Sequence, residues 1–218
     1  MGRGHRSSSP PRDQARTRLA RAAVTDAARE LFLERGYGAT TVDAISDHAE
    51  VPPATVYRLF SSKHGILKSL LDVSIVGDHE DVPMADRPEV QSLVDNPNPR
   101  EQLAGFVGIT VRVNERIAPL YRILTSAAGT DPDAAGLLDE LTRQRQRGQR
   151  TIARSLARAG ALRPELRERD AADLIHALMS PELYQLLVVD RAWNADRYQR
   201  WLARTLGDQL LRGDPGMS

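Results

Sequence analysis

The 218 residues predict an all-α protein, and three observations carry that prediction. Apolar residues recur at three- and four-residue steps in one segment after another, the stripe of a helix that buries one face. No stretch alternates with a period of two for long enough to make a strand. Glycine and proline mostly separate the periodic segments, as at Gly36, Pro52-Pro53, Gly129 to Pro132 and Gly160. About nine helices are expected. Three form an N-terminal helix-turn-helix head over residues 16–61, and six form a body over residues 62–212. Residues 1–15 read as a disordered basic arm and 213–218 as a flexible tail.

In the head, Val24, Ala27, Ala28, Leu31 and Phe32 make the stripe of helix one. Gly36, after Glu34-Arg35, suits the left-handed cap that ends such a helix. Thr40 then reads as the N-cap of helix two, with Asp43 three residues on, a capping box with Asp in place of Glu. Val42, Ile45 and Ala49 face inward. Glu50-Val51-Pro52 form the turn, and Pro53 takes the first position of helix three, where its missing N–H costs nothing. Pro52 stands where a Ser or Thr would cap that helix, which removes about 1 kcal/mol. Val56, Leu59 and Phe60 pack inward and leave Ala54, Thr55, Tyr57 and Arg58 outside. Two helices joined by so short a turn, the second presenting small polar and aromatic groups, fit a DNA major groove. The unit lies at about residues 41–60.

Pro53, Ala54 and Thr55 are short, so the start of helix three can approach base edges and thymine methyls. Tyr57 and Lys63 are placed to hold phosphates, and Thr40 and Thr41 to do so on the flanking strand. The ordered set from Val24 to Leu67, with Gly36-Tyr37, Thr40 to Ile45, Thr55 to Phe60 and Ser62-Lys63, resembles the TetR family of one-component transcriptional regulators. The resemblance is dense over residues 16–71 and looser, helix by helix, beyond. It implies that Thr40, Thr41, Pro53, Ala54, Thr55, Tyr57 and Lys63 contact DNA. With Pro52 in place of a capping Ser or Thr, three features depart from the family pattern. Glu50 stands where a glycine is usual, so the turn must accept a side chain in a strained conformation or shift by a residue. His64-Gly65 replaces the acidic pair that commonly opens helix four, and a helical glycine costs about 1 kcal/mol against alanine.

Helix four is expected from about Ser62 to Ile75. Gly77 to Arg100, rich in Asp, Pro and Asn, reads as a loop with a turn of helix at Glu89 to Leu93. Periodicity resumes at Leu103, Phe106, Val107 and Val111 and continues past Pro119 to the break at Gly129. Leu137, Leu138 and Leu141, then Ile152, Leu156 and Ala159, belong to a long polar-faced helix capped by Gly160. The final pair spans about Arg169 to Asp190, kinked at Pro181, and Ala195 to Leu211. It carries Leu174, Leu183, Leu186, Leu187, Val188 and Trp201, more apolar surface than a peripheral hairpin needs. The family resemblance implies that this pair meets its copy in a homodimer, which by symmetry reads a palindromic operator. It also implies a small-molecule effector that enters among helices five to seven, shifts helix four and releases a repressor from DNA. Arg112, Tyr121, Arg122 and His176 are the polar candidates for an effector pocket. With only 5% aromatic residues, a stacked planar drug is not favoured over an aliphatic or modestly polar ligand.

Composition excludes several alternatives. No cysteine is present, which rules out disulfides and thiolate metal sites and suits the cytoplasm. No apolar run approaches a membrane span, and the Arg- and Ser-rich start has no signal-type apolar region. Residues 1–70 hold eleven Lys and Arg against seven Asp and Glu, a surplus of four, while the rest has a deficit of three. A basic first third on an acidic body has the polarity of a DNA-binding head. Much of the surplus lies in the leading segment up to Arg21, with six arginines against Asp13, which reads as a solvated, unpacked stretch. No catalytic residue, cofactor or metal is expected. Asp78-His79-Glu80-Asp81 lacks helical spacing for a metal, and the pairs His48 with Glu50 and Asp173 with His176 have simpler structural readings. The competing reading is a helical ligand-binding or scaffold protein that keeps a vestigial head.

Overall fold

The computed structural model of the chain describes residues 11–77 and 84–213. The sequence Asp78 to Asp81 and the tail 214–218 lie outside them, as does the arm before Pro11. Two compact units divide at Leu70 and Leu71, a boundary that falls inside the fourth helix.

The first unit contains α1 (Pro11–Ala39), α2 (Val42–His48), α3 (Pro53–Phe60) and the start of α4 (Lys63–Val76). Residues 11–21 are helical, which corrects the expected disorder there. Helix one simply runs three turns further toward the N-terminus than its apolar stripe. Gly36 (φ 77, ψ 168) breaks its far end, as a residue without a Cβ can. Val24, Ala28, Leu31, Phe32, Ile45 and Val56 are buried, and the Phe32 and Tyr37 rings pack tilted with centroids 5.5 Å apart.

The turn between α2 and α3 shows how Glu50 is tolerated. Its φ is 53°, the left-handed region that a glycine enters without strain. Buried Ser46 clamps the turn, donating its hydroxyl to the Val51 carbonyl while the Val51 N–H returns to the Ser46 carbonyl at 3.1 Å. Pro52 is the N-cap of α3 and supplies no side-chain hydrogen bond, as its missing acceptor dictates.

The second unit is built from α5 (Pro88–Val94), α6 (Pro99–Ala128), α7 (Pro132–Arg158), α8 (Glu168–Leu178), α9 (Pro181–Tyr184) and α10 (Ala195–Leu210). The nine expected helices are present among the described residues, with the eighth broken in two. Pro181 does not kink that helix but starts a new one, N-capped by the Ser180 hydroxyl on the Leu183 N–H at 3.1 Å. A π-helical turn, Gln185–Asp190, follows α9. Helix α6 begins earlier than its apolar stripe, because Asn98 caps it by accepting from the Arg100 and Glu101 N–H groups. It then passes Pro119 unbroken. Leu103, Val107, Leu156, Ile175, Tyr198 and Leu202 lie in the unit's buried core. No strand forms among the described residues; one antiparallel bridge joins Leu162 to Leu211.

Candidate nucleic-acid interface

The head presents α3 on a rigid base. Val56, Leu59 and Phe60 bury one face of it, and Pro53, Ala54, Tyr57 and Arg58 are exposed on the other. Tyr57 is 49% exposed, unusual for a large aromatic with a core available. Thr55 is half-buried at the first turn. The exposed residues at the start of α3 are small, so its backbone can approach a groove floor closely.

Two of the expected contacts fall elsewhere. Thr40 is only 1% exposed, and its hydroxyl donates to the Gly36 carbonyl at 2.8 Å and the Leu31 carbonyl at 3.2 Å. It closes helix one rather than facing outward. Thr41 is the N-cap of α2, accepting from the Ala44 N–H at 3.1 Å, and its side chain is exposed. The cap thus sits one residue later than the capping-box spacing predicts. Lys63 reaches back into the head. Its ammonium donates to the carbonyls of Tyr37 (2.9 Å) and Thr40 (3.0 Å) and lies 4.2 Å from the Tyr37 ring centroid. This cation braces the end of helix one against the start of α4, in place of the free phosphate ligand expected.

Sequence reasoning missed a second brace. The Arg21 guanidinium donates to the Leu59 carbonyl at 3.0 Å and stands 5.1 Å over the Phe60 ring, fixing α1 to the C-terminal end of α3. His48 donates to Glu30 at 2.7 Å, so its partner is on α1 and not Glu50.

Comparison with known proteins agrees with this geometry. Residues 24–70 match the family of bacterial regulatory proteins described as tetR. The uncharacterized HTH-type transcriptional regulator YdeS of Bacillus subtilis (strain 168) is 31% identical over 199 residues, covering 87% of each chain. The chain belongs to the TetR family. Among solved structures, SmeT in complex with triclosan shares the fold at a TM-score of 0.69 and 18% identity, covering 91% of this chain and 96% of that one. The fatty acid degradation regulator FadR from Bacillus halodurans matches at 0.66 and 17% identity, over 92% and 96%. This TetR-family chain is therefore a DNA-binding transcriptional regulator and not an enzyme. Among its described residues no helix is long and apolar enough to cross a membrane.

The regulator's four candidate effector contacts separate into two kinds. Arg112 is exposed and ion-paired with Glu89, and Arg122 is exposed. Tyr121 and His176 instead meet in one polar network. The buried Tyr121 hydroxyl donates to Glu182 at 2.9 Å; burial first, and the Glu182 carboxylate second, push its pKa up to about 12. Arg145 lies 3.8 Å from the same carboxylate and donates to His176 Nε2 at 3.2 Å. With Nε2 accepting, Nδ1 carries the proton and donates to Gln149 at 2.7 Å. Burial and the Arg145 charge hold His176 below its ordinary range, favouring neutral imidazole. His176 thus pairs across helices rather than with Asp173. The network joins α6, α7, α8 and α9, a convergence no local spacing reveals.

Proposed function

We propose that the chain is a ligand-released repressor that binds a palindromic operator as a homodimer in the cytoplasm. The observation that carries the reading is the outer face of α3, where Pro53, Ala54 and Tyr57 stand exposed on helices braced by Arg21 and Lys63. Pro53, Ala54 and Thr55 read base edges, while Tyr57 and Thr41 hold phosphates. The copy-to-copy surface is the last two helices, whose Leu186 and Val189 are exposed at 49% and 51%. Two heads related by a two-fold axis then need two half-sites in opposite orientation.

Release by a ligand follows if the body biases α4. Arg116 on α6 donates to the Ser74 and Ile75 carbonyls at 2.7 and 3.0 Å, capping the last turn of α4. A ligand that repacks α6 would carry that end of α4 with it. Its affinity must differ between the two states for occupancy to change. That the similarly folded SmeT was solved with triclosan supports a small-molecule effector. The network of Tyr121, Arg145, His176 and Glu182 supplies polar groups for one.

The test is a pair of substitutions read on a panel of duplexes. Tyr57→Phe removes one phosphate hydrogen bond from each head, and about a thirtyfold loss of affinity is expected on every sequence, roughly 2 kcal/mol. Thr55→Ala is expected to change the ranking of sequences at one base position by about 1–3 kcal/mol. Parent-like binding by both variants would remove α3 from the groove.

A further inference from the structure

We propose that the N-terminal end of α1 forms a second contact with the DNA backbone, through a ridge made by Gln14, Arg18 and Arg21. The inference rests on the reading of α3 as the groove-binding helix. It arises from the three turns of α1 that precede the head's core. The apolar stripe of α1 becomes buried at Val24, whereas no residue from Asp13 to Ala23 is buried. A helical extension with no core beneath it draws little stability from packing. A partner that covers it would supply what the fold does not.

The position of the extension is fixed by Arg21, which clasps the C-terminal end of α3 through the Leu59 carbonyl and the Phe60 ring. Residues three and seven before it in the helical repeat share that face, so Gln14, Arg18 and Arg21 line up on one side of α1. The ridge therefore continues outward from the place where α1 meets the recognition helix. Arg18 is exposed, and Asp13 is the one carboxylate between Pro11 and Thr25. An arginine held beside a groove-reading helix, with no acidic partner on its face, suits a phosphate on the strand flanking that groove. Arg16 is the internal contrast. It is equally exposed, but it lies five residues before Arg21, on the far side of the helix.

The test uses the full chain and a random-sequence duplex, with affinity measured from about 50 to 200 mM salt. Each lost phosphate contact reduces the slope of log affinity against log salt by about 0.9; one contact on each head of the proposed dimer makes the change about 1.8, so the loss over this range shrinks by about 12-fold. Arg18→Ala is expected to show that change and Arg18→Lys to keep the parent slope. Arg16→Ala is expected to keep it too, although it removes the same charge. A parent slope in Arg18→Ala, or an equal change in Arg16→Ala, would overturn the ridge. A steep parent slope left untouched by Arg18→Ala removes this inference alone. A parent with no salt-dependent binding removes the groove reading as well.

Discussion

Gly65→Ala is expected to destabilise the head by about 3 kcal/mol, the upper end of the usual cost of overpacking, and to abolish measurable operator binding. Helix propensity alone predicts the opposite sign, a gain of about 1 kcal/mol. The structure decides between them. A Cβ at position 65 would stand 1.9 Å from the Phe60 carbonyl oxygen and 3.1 Å from its carbon. Those are backbone atoms at the C-terminal end of α3, so no side-chain rotation relieves the contact. The Phe60 carbonyl also accepts the Ser62 N–H at 2.8 Å, which fixes the tight connection into α4. Moving it displaces the recognition helix together with the Leu59 carbonyl that Arg21 holds. Urea unfolding followed by circular dichroism, with hydrogen exchange at head amides, measures the effect. A midpoint equal to or above the parent's would show that the close approach is unimportant.

Introducing charge on the last two helices should produce the second largest change. Leu186→Glu with Val189→Glu is expected to weaken self-association by at least about a hundredfold, roughly 2.7 kcal/mol. Each carboxylate would lose its hydration in the proposed apolar interface, and burying a charge there is costly. The parent Leu186 and Val189 are 49% and 51% exposed, with Leu187 and Val188 half-buried between them. Trp193 and Trp201 pack edge to face at 5.8 Å beside this surface. Neither substituted side chain belongs to the buried core, so the monomer should keep its stability. Light scattering at micromolar concentration would then report a species of 24.1 kDa for the variant and twice that for the parent. A parent that is itself monomeric would contradict the dimer, and a variant that remains dimeric would move the interface elsewhere.

Much of the head was legible because each of its helices buries one stripe. Val24, Leu31, Ile45, Val56 and Phe60 declare their inward faces by spacing alone, and all are buried. What spacing cannot resolve is a choice between adjacent, chemically identical groups. Thr40 and Thr41 both offer a cap. Which one turns inward depends on how the chain leaves Gly36, and it is Thr40 that finds the Gly36 and Leu31 carbonyls. Long cations are equally opaque. Lys63 and Arg21 carry flexible stems whose targets lie 26 and 38 residues away, so charges that read as a phosphate ligand and as solvated become braces. Gly65 reads as a local defect until the Phe60 carbonyl comes into view. In the body, Pro181 was visible, but only the Ser180 cap shows that it begins a helix instead of bending one. The linkage of Tyr121 to His176 through Arg145 and Glu182 joins four helices and leaves no trace in linear order.

In the proposed complex, α3 enters a DNA groove on a head held by Arg21 and Lys63. The most direct measurement is the affinity of the unmodified chain for double-stranded DNA from its own promoter region as salt is raised from about 50 to 200 mM. Several phosphate contacts across two heads predict a loss of about a thousandfold or more over that range. Promoter DNA should remain preferred over random duplex throughout. Binding that is absent, or that is indifferent to both salt and sequence, would rule out α3 as a groove-binding helix.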